Sequence, residues 1–400
     1  MKSLMNLRVL LYAVAMVLIL TCQSCCKDES EGPRDRTMLI YMDTYALSDF
    51  FWSNLQDMKA AMDPELSDYA NLLVFVDDIG ANSHLLHIHD YKCDTVRTWS
   101  GGLDSSSPET LSMVIDYSLS EFPAKGYGLV VWSHGTGWIP DLPAKKSPLR
   151  GSDGLSADNV IVPFTVTRAL LPQPQGWMEI ADFADAIPNG LFDFIMFDAC
   201  HMGGAEVAYE LKDRTKWLIA SAIEIMGWGF PYRKVVPDLL KGNYQKVCQT
   251  FFEYYDAQSG SSRTAGIALL DLNKFDLVCD AFRDIVNNAT VDINSTEFKT
   301  GLQRMDRNSI FGQALLFDLG NVAEHLRPSD EGLIDRFYDA LEDCIQYHAN
   351  TDYVLYGTGD CLTIRTYSGL NCFVPFPTHN NTYNPIYRDC GWNRAVRFLK

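Results

Sequence analysis

Two apolar runs of the sequence each end on a side chain that can do covalent chemistry. Residues 191–200 end on Asp198, Ala199 and Cys200, and residues 128–134 end on His134. Apolar runs of this length predict buried strands, which would deliver Cys200 and His134 at their carboxyl ends. A thiol and an imidazole are the minimum equipment for nucleophilic acyl transfer. The pair therefore predicts a cysteine peptidase in which Cys200 attacks and His134 moves the proton.

Glycines follow both candidate groups. Gly135 comes directly after His134, and a glycine lets the backbone approach a substrate closely. Gly203 and Gly204 follow Cys200, and the N–H groups of that turn are candidates to stabilise a developing oxyanion. A helix opening at Cys200 would also favour the thiolate through its dipole. The alternatives are a buried structural cysteine and a histidine that only serves a turn.

The elements that must position these groups alternate between strand and helix patterns. Strands are predicted at 37–42, 71–78, 83–91, 217–222 and 264–271, and helices at 50–62, 107–119, 178–187, 204–212 and 246–255. This order predicts an α/β fold whose central sheet is mostly parallel, with helices on both faces. A soft boundary near residue 271 separates a catalytic core, residues 37–271, from a C-terminal α+β subdomain, residues 272–400, packed on that core.

The overall charge limits the partners. The chain has 51 acidic and 33 basic residues and a net charge of −18. Nucleic acid requires basic patches, so this balance argues against a nucleic-acid partner. It is compatible with cationic substrates or with calcium. No pair of CxxC motifs is present, so zinc has no support from the sequence.

The N-terminal residues have the pattern of a targeting segment. An apolar run at 9–20 follows two basic residues and has the length of a signal-peptide core rather than a membrane span. Cleavage directly before one of the next three cysteines resembles a bacterial lipoprotein signal. The competing positions are Cys22, Cys25 and Cys26, and the serine before Cys25 favours that residue as the lipidated one.

The sequence thus predicts a lipoprotein signal peptide at 1–25 and a polar tether at 26–36. An acidic stretch at 27–29 resembles a surface-export tag of some Gram-negative lipoproteins. We therefore expect an outer-membrane lipoprotein of the cell envelope, exposed at the surface, that touches the membrane only through its lipid anchor. An uncleaved anchor and a simple secreted protein are the alternatives.

Four stretches of the chain resemble the clostripain-related peptidases, a family within the caspase-like cysteine peptidases that also include legumain and the gingipains. The motif W-S-H-G-T-G-W (132–138) is similar to the histidine motif of that family. F-D-A-C-H-M-G-G-A-E-V-A-Y-E-L (197–211) is similar to its cysteine motif, and S-A-I-E-I-M-G-W-G-F-P-Y (221–232) and G-L-N-C-F-V-P-F (369–376) are similar to later segments. The resemblance implies a caspase-like α/β/α sandwich.

The resemblance also implies roles for individual residues. Cys200 and His134 form the catalytic dyad, and the backbone at Gly135 and Cys200 surrounds the oxyanion. The family cleaves after Arg or Lys, and its acid at the Asp198 position lies at the floor of the specificity pocket, where a carboxylate pairs bidentately with a guanidinium. Glu224 is expected as a second pocket wall. Asp198 could instead be a structural acid satisfied by backbone N–H groups.

Several relatives mature by cutting themselves between the two catalytic motifs. The loop at 144–151 carries three basic residues of the expected specificity, Lys145, Lys146 and Arg150. They are candidates for self-cleavage, and a solvated basic loop is the alternative. No cofactor is expected to be required, although calcium stays open because some relatives need it.

Two other functions compete with an endopeptidase that acts on protein or peptide substrates with basic residues. One is a catalytically silent surface lipoprotein that binds peptides or host proteins. The other keeps the enzyme but changes its preference to Asp or Asn.

Overall fold

The computed structural model describes residues 32–44, 47–78, 82–140, 170–173 and 176–400. The predicted lipidation site Cys25 and the predicted self-cleavage residues Lys145, Lys146 and Arg150 lie outside these residues. Across the described ranges, no helix is both long and apolar enough to cross a membrane.

A nine-stranded sheet forms the centre of the molecule. Its strands are β1 (Arg34–Asp43), β2 (Ala70–Asp78), β3 (Asn82–His89), β4 (Lys92–Ser100), β5 (Ala124–Trp132), β8 (Phe192–Asp198), β9 (Thr215–Ala220), β10 (Gly266–Asp271) and β12 (Ile345–Asn350). Their order in the sheet is β12-β10-β9-β8-β5-β1-β2-β3-β4. The short strands β6 (Leu170–Gln173), β7 (Gly176–Met178), β11 (Leu316–Asp318), β13 (Tyr353–Val354), β14 (Leu362–Thr363) and β15 (Asn371–Phe373) pair outside it.

The five central strands of the sheet are parallel, and the outer strands are antiparallel. Strand β1 pairs in parallel with β2 and β5, and β8 pairs in parallel with β5 and β9. Parallel strands covered on both faces are continuous apolar runs, and residues 128–132 and 194–198 are almost wholly buried. The predicted strands and the mostly parallel central sheet are therefore confirmed.

Fourteen α-helices are present in the described part of the chain. They are α1 (Ser48–Ala61), α2 (Pro64–Tyr69), α3 (Pro108–Glu121), α4 (Ile180–Asp185), α5 (Ala205–Leu211), α6 (Tyr232–Leu240), α7 (Tyr244–Asp256), α8 (Phe275–Asn287), α9 (Thr296–Lys299), α10 (Asn308–Phe311), α11 (Leu319–His325), α12 (Gly332–Cys344), α13 (Asn384–Tyr387) and α14 (Gly391–Val396). Short 3₁₀ turns lie at Gly260–Ser262, Leu272–Lys274 and Pro377–His379. Helix α3 begins as its sequence predicts, because the Ser107 side chain accepts a hydrogen bond from the Thr110 N–H.

The helices pack in two groups. In the first group, α6 packs between α1 and α7. In the second group, each helix packs against the next in the order α3, α4, α5, α14, α8, α12. With the sheet between them, these layers make the caspase-like α/β/α sandwich that the sequence resemblance implies.

The C-terminal part of the chain completes the catalytic core. Strand β12 pairs with β10 and forms one edge of the main sheet. Strand β15 reaches the turn after Cys200, where the Asn371 N–H donates to the Gly203 carbonyl at 2.8 Å. The main sheet therefore contains strands from both sides of the predicted boundary near residue 271. Residues beyond that boundary also contact the turn that carries the candidate nucleophile.

Candidate active site

The register of two neighbouring strands brings Cys200 and His134 to one edge of the sheet. Trp132 on β5 pairs with Asp198 on β8 in a parallel ladder. His134 and Cys200 each follow two residues later, so the two side chains leave equivalent strand ends. Both line the same cavity, of about 50 Å³, together with Asp198.

Glycine allows the histidine loop to pack directly on the cysteine loop. A Cβ atom at Gly135 would lie 2.7 Å from the Cys200 carbonyl oxygen, a separation that real side chains do not show. Gly137 has a φ of +69°, and its Cβ would lie 3.0 Å from the His201 carbonyl oxygen. The two loops therefore touch through their backbones, which only glycine permits at these positions.

The Cys200 sulfur is held by the peptide groups of the loop after β9. The Ile225 N–H donates to Sγ at 3.4 Å, and the thiol donates to the Ile225 carbonyl at 3.6 Å. Burial and the nearby negative charge of Glu224 raise the pKa of Cys200 to about 12. The thiol is therefore protonated in this arrangement.

The imidazole of His134 is also neutral in this arrangement. Burial disfavours the imidazolium and lowers the pKa of His134 to about 3. The thiol and the imidazole on this cavity are thus both uncharged, and one ring nitrogen of a neutral imidazole can accept a proton from sulfur.

One expectation about the turn after Cys200 is wrong, and a second is wrong for Gly203. Helix α5 begins at Ala205, five residues beyond Cys200, so the thiol does not open that helix. The Gly203 N–H donates to the Ser221 carbonyl at 2.7 Å, which removes it as an oxyanion donor. The glycine is needed for packing, since a Cβ at Gly203 would lie 2.7 Å from the backbone between Ser221 and Ala222.

Asp198 lines the cavity, and two hydrogen bonds hold its carboxylate in place. The Phe230 N–H and the Tyr232 hydroxyl both donate to Oδ2, at 3.0 and 2.9 Å. No hydrogen bond from the described residues ends on Oδ1. Burial raises the pKa of Asp198 to about 6, while these two donors oppose the rise. One oxygen is thus fixed by the fold, and the carboxylate is mostly ionised at neutral pH.

Glu224 does not have the predicted role as a second pocket wall. Its side chain is buried and does not line the cavity. Arg307 binds it, with Nε 2.7 Å from Oε2 and Nη2 2.5 Å from Oε1. The carboxylate is therefore occupied by a guanidinium from the C-terminal part of the chain.

Three residues of this site escaped the sequence argument. Tyr232 and Asn371 stand in the motifs that carry the family resemblance, but nothing in those motifs shows what their side chains bind. The Asn371 amide donates to the Ala222 carbonyl at 2.8 Å and to the His201 carbonyl at 3.3 Å. Arg307 lies 83 positions from Glu224 in a segment without any motif, so no sequence signal pairs the two.

A thiol and an imidazole on one cavity, at the carboxyl edge of a caspase-like sheet, define the protein as a cysteine peptidase. The sequence model of the clostripain family matches residues 40–390. The chain belongs to the clostripain family.

Solved structures share the fold of this protein. A protease of this family from Parabacteroides distasonis, solved as an inactive zymogen, is 27% identical, with a TM-score of 0.74 over 91% of this chain and 98% of that one. Iotapain, a secreted cysteine protease from Bacteroides thetaiotaomicron, is 23% identical, with a TM-score of 0.74 over 91% of this chain and 99% of that one. That secreted protease, in complex with an irreversible peptide inhibitor, matches at 23% identity and a TM-score of 0.73, over 92% of this chain and 100% of that one. No curated protein sequence matches the chain.

Proposed function

We propose that this cysteine peptidase is an exported endopeptidase that cleaves peptide bonds after Arg or Lys, with Cys200 as nucleophile and His134 as general acid and base. The observation that carries the specificity is the carboxylate of Asp198 on the same cavity as the thiol. A basic side chain that enters this cavity meets a buried negative charge next to the reacting sulfur.

The hydrogen bonds of Asp198 support a cationic ligand. Both donors bind Oδ2, so the hydrogen bonds from the protein itself use only one of the two carboxylate oxygens. A guanidinium or ammonium group can pair with the other, and a charge-assisted bond in a buried site is strong. The second buried acid of this region, Glu224, is already neutralised by Arg307 and does not compete for the substrate.

The chemistry begins from the uncharged pair. His134 takes the proton from the Cys200 thiol as the sulfur attacks the substrate carbonyl, and the bond between sulfur and carbon forms. Backbone N–H groups at Gly135 and Cys200 are the proposed oxyanion donors. His134 then gives the proton to the leaving amine as the carbon–nitrogen bond breaks. Water hydrolyses the thioester that remains, which releases the acid product and restores the thiol.

Fluorogenic peptides that end in Arg, Lys, Asp or Asn test this proposal, with and without a calcium chelator. We expect cleavage after Arg and Lys only, and none by Cys200→Ala. Asp198→Asn keeps the size of the side chain but removes its charge, so KM for Arg peptides should rise about 100-fold, as expected for loss of one partner of a buried charge pair. Asp339→Asn, at an exposed position of α12, is the matched control and should leave KM unchanged.

The pH dependence gives the same test a second readout. Because the pKa of Asp198 is about 6, KM for Arg peptides should rise as the pH falls below 6, where the carboxylate takes up a proton. Cleavage after Asp or Asn, or equal KM values for Asp198→Asn and Asp339→Asn, would reject the basic preference. Full activity of Cys200→Ala would reject the dyad, and binding of peptides without any turnover would favour the silent binding protein.

We also propose that the chain is exported as a lipoprotein anchored at Cys25 and is cut in the 144–151 loop. Its support is the signal-like N-terminus and the three basic residues Lys145, Lys146 and Arg150. Replacing those three residues with Ala should abolish the two fragments of the mature enzyme, as should Cys200→Ala. Unchanged fragments in the triple variant would refute self-cleavage there. Metabolic labelling with a radiolabelled fatty acid, lost in Cys25→Ala, tests the anchor.

A further inference from the structure

The buried ion pair behind the active site has no place in the reaction as described so far. Arg307 and Glu224 are 5% and 2% exposed, and they join the C-terminal part of the chain to the loop after β9. Taking two charges out of water is costly, so a buried ion pair is weak evidence for a gain in stability. Its position next to Cys200 suggests a different reason.

The loop that carries Glu224 also holds the nucleophile. Ile225 directly follows Glu224, and its N–H and carbonyl are both hydrogen-bonded to the Cys200 sulfur. The Glu224 side chain is therefore attached one peptide unit away from the Ile225 backbone groups that form hydrogen bonds with the sulfur.

Arg307 is itself fixed by three partners. Besides Glu224, its Nη1 donates to Asp360 at 2.7 Å and to the Ser309 hydroxyl at 3.1 Å. Asp360 is about a third exposed, so the ion-pair network runs from the surface to the buried carboxylate. The guanidinium is thus held in one position by groups that all lie outside the catalytic loops, apart from Glu224.

The charges around the sulfur come from four elements. Asp198 lies at the end of β8, His134 follows β5, Glu224 follows β9, and Arg307 precedes α10. Arg307 is the single cation of this set when His134 is neutral. The negative charge of Glu224 disfavours the thiolate, and the positive charge of Arg307 favours it.

We propose that Arg307 is a positioning residue for the Cys200 nucleophile: it holds the Glu224 carboxylate, and so the Ile225 peptide, in place and partly offsets the negative charge beside the sulfur. This inference rests on the proposed role of Cys200 as nucleophile. It assigns to the C-terminal part of the chain a direct effect on the reactivity of the thiol.

The rate of alkylation of Cys200 by iodoacetamide at pH 8 tests the proposal, with Cys200 followed by mass spectrometry of its peptide. Arg307→Gln leaves the negative charge of Glu224 near the sulfur without its countercharge, so the alkylation rate should fall about tenfold, the equivalent of one pKa unit. Glu224→Gln removes the negative charge and keeps the guanidinium, so the rate should rise. The double variant, without either charge, should return to within about twofold of the native rate.

A merely structural ion pair would give a different pattern. All three variants would then lose thermal stability while their alkylation rates stayed equal to that of Arg327→Gln, a control that breaks an exposed ion pair with Glu297. That result would overturn the proposal, as would shifts of the same sign in the two single variants. If Arg307→Gln does not fold, Glu224→Gln and Arg307→Lys decide: the first must raise the alkylation rate and the second must leave it at the native value.

Failure of the proposed dyad would look different again. Alkylation reports on the thiol itself, so the charge pattern can hold even if Cys200→Ala still cleaves peptides. The steady-state kinetics, in contrast, depend on the dyad. If Cys200 is the nucleophile, kcat should fall in Arg307→Gln and recover in the double variant, with little change in KM.

Discussion

A buried carboxyl group beneath the cysteine turn makes the stability of this protein depend on pH. Glu206 on α5 is completely buried, and its Oε1 accepts a hydrogen bond from the Phe373 N–H on β15 at 2.9 Å. Its Oε2 has no partner in the described part of the chain. Burial raises the pKa of Glu206 from 4.5 to about 8, so the folded protein keeps this proton at neutral pH.

The sign of the effect follows from proton linkage. Below pH 4.5 both the folded and the unfolded chain hold the proton, and the stabilisation is fully present. As the pH rises, the unfolded chain loses the proton first, and stability falls until the folded pKa of about 8 is passed. The loss is at most about 1.4 kcal/mol per pH unit, or about 2.5 kcal/mol between pH 5.5 and 7.5.

Glu206→Gln removes this dependence without removing the contact, because an amide oxygen can accept the Phe373 N–H and does not titrate. Urea unfolding at pH 5.5, 6.5 and 7.5, followed by tryptophan fluorescence, gives the free energy of unfolding of both proteins. We expect the variant to gain about 2.5 kcal/mol relative to the native protein over this range. Other titrating groups are common to both proteins and cancel in the difference.

An exposed glutamate on α12 provides the control. Glu342→Gln should differ from the native protein by the same amount at every pH. A difference between Glu206→Gln and the native protein that is equally constant would refute the argument, because it would mean that Glu206 is ionised in the folded state.

Two further predictions concern the packing of the catalytic turn. Asn371→Asp would set a carboxylate against the two backbone carbonyls that the amide now binds. We expect kcat to fall about 10- to 100-fold, as for the loss of a buried hydrogen bond, with KM nearly unchanged. A fall in melting temperature with constant kcat would contradict this prediction. Gly135→Ala would push a methyl group onto the Cys200 carbonyl, and kcat/KM should fall at least about tenfold, as small misplacements of catalytic groups do. Gly359→Ala, at an open position, should have native activity, and equal activity of the two alanine variants would reject the packing argument.

The sequence was most informative where one local signal determines one local structure. Continuous apolar runs become the parallel strands β5 and β8, and their register carries His134 and Cys200 to one cavity. Ser107 and Pro108 start a helix because the capping hydroxyl and the fixed φ of proline act within a single turn.

Two of the errors have a common physical cause, since both concern a polar group whose partner lies elsewhere in the chain. Gly203 looked like an oxyanion donor, but its N–H is taken by Ser221 on the next strand end. Glu224 looked like a substrate ligand, but Arg307 satisfies it from a segment that has no pattern of its own. Burial forces polar groups to find partners, and the identity of the partner depends on tertiary packing that spacing along the chain does not encode.

The two acids of this site show how the fold separates a structural charge from one that can serve a substrate. Glu224 and Asp198 both lie near the sulfur and are both buried, but Glu224 receives a full countercharge from Arg307, whereas Asp198 receives only two neutral hydrogen-bond donors. A negative charge that is solvated by dipoles alone still gains from a cation, and one that is already paired does not. Asp198 lines the cavity and Glu224 does not, so under the proposed specificity a cationic side chain would pair with Asp198 on the cavity that also holds Cys200. Pairing with that cation would also reduce the negative potential that Asp198 exerts on the thiol, so the substrate that fits the pocket also makes the nucleophile easier to ionise.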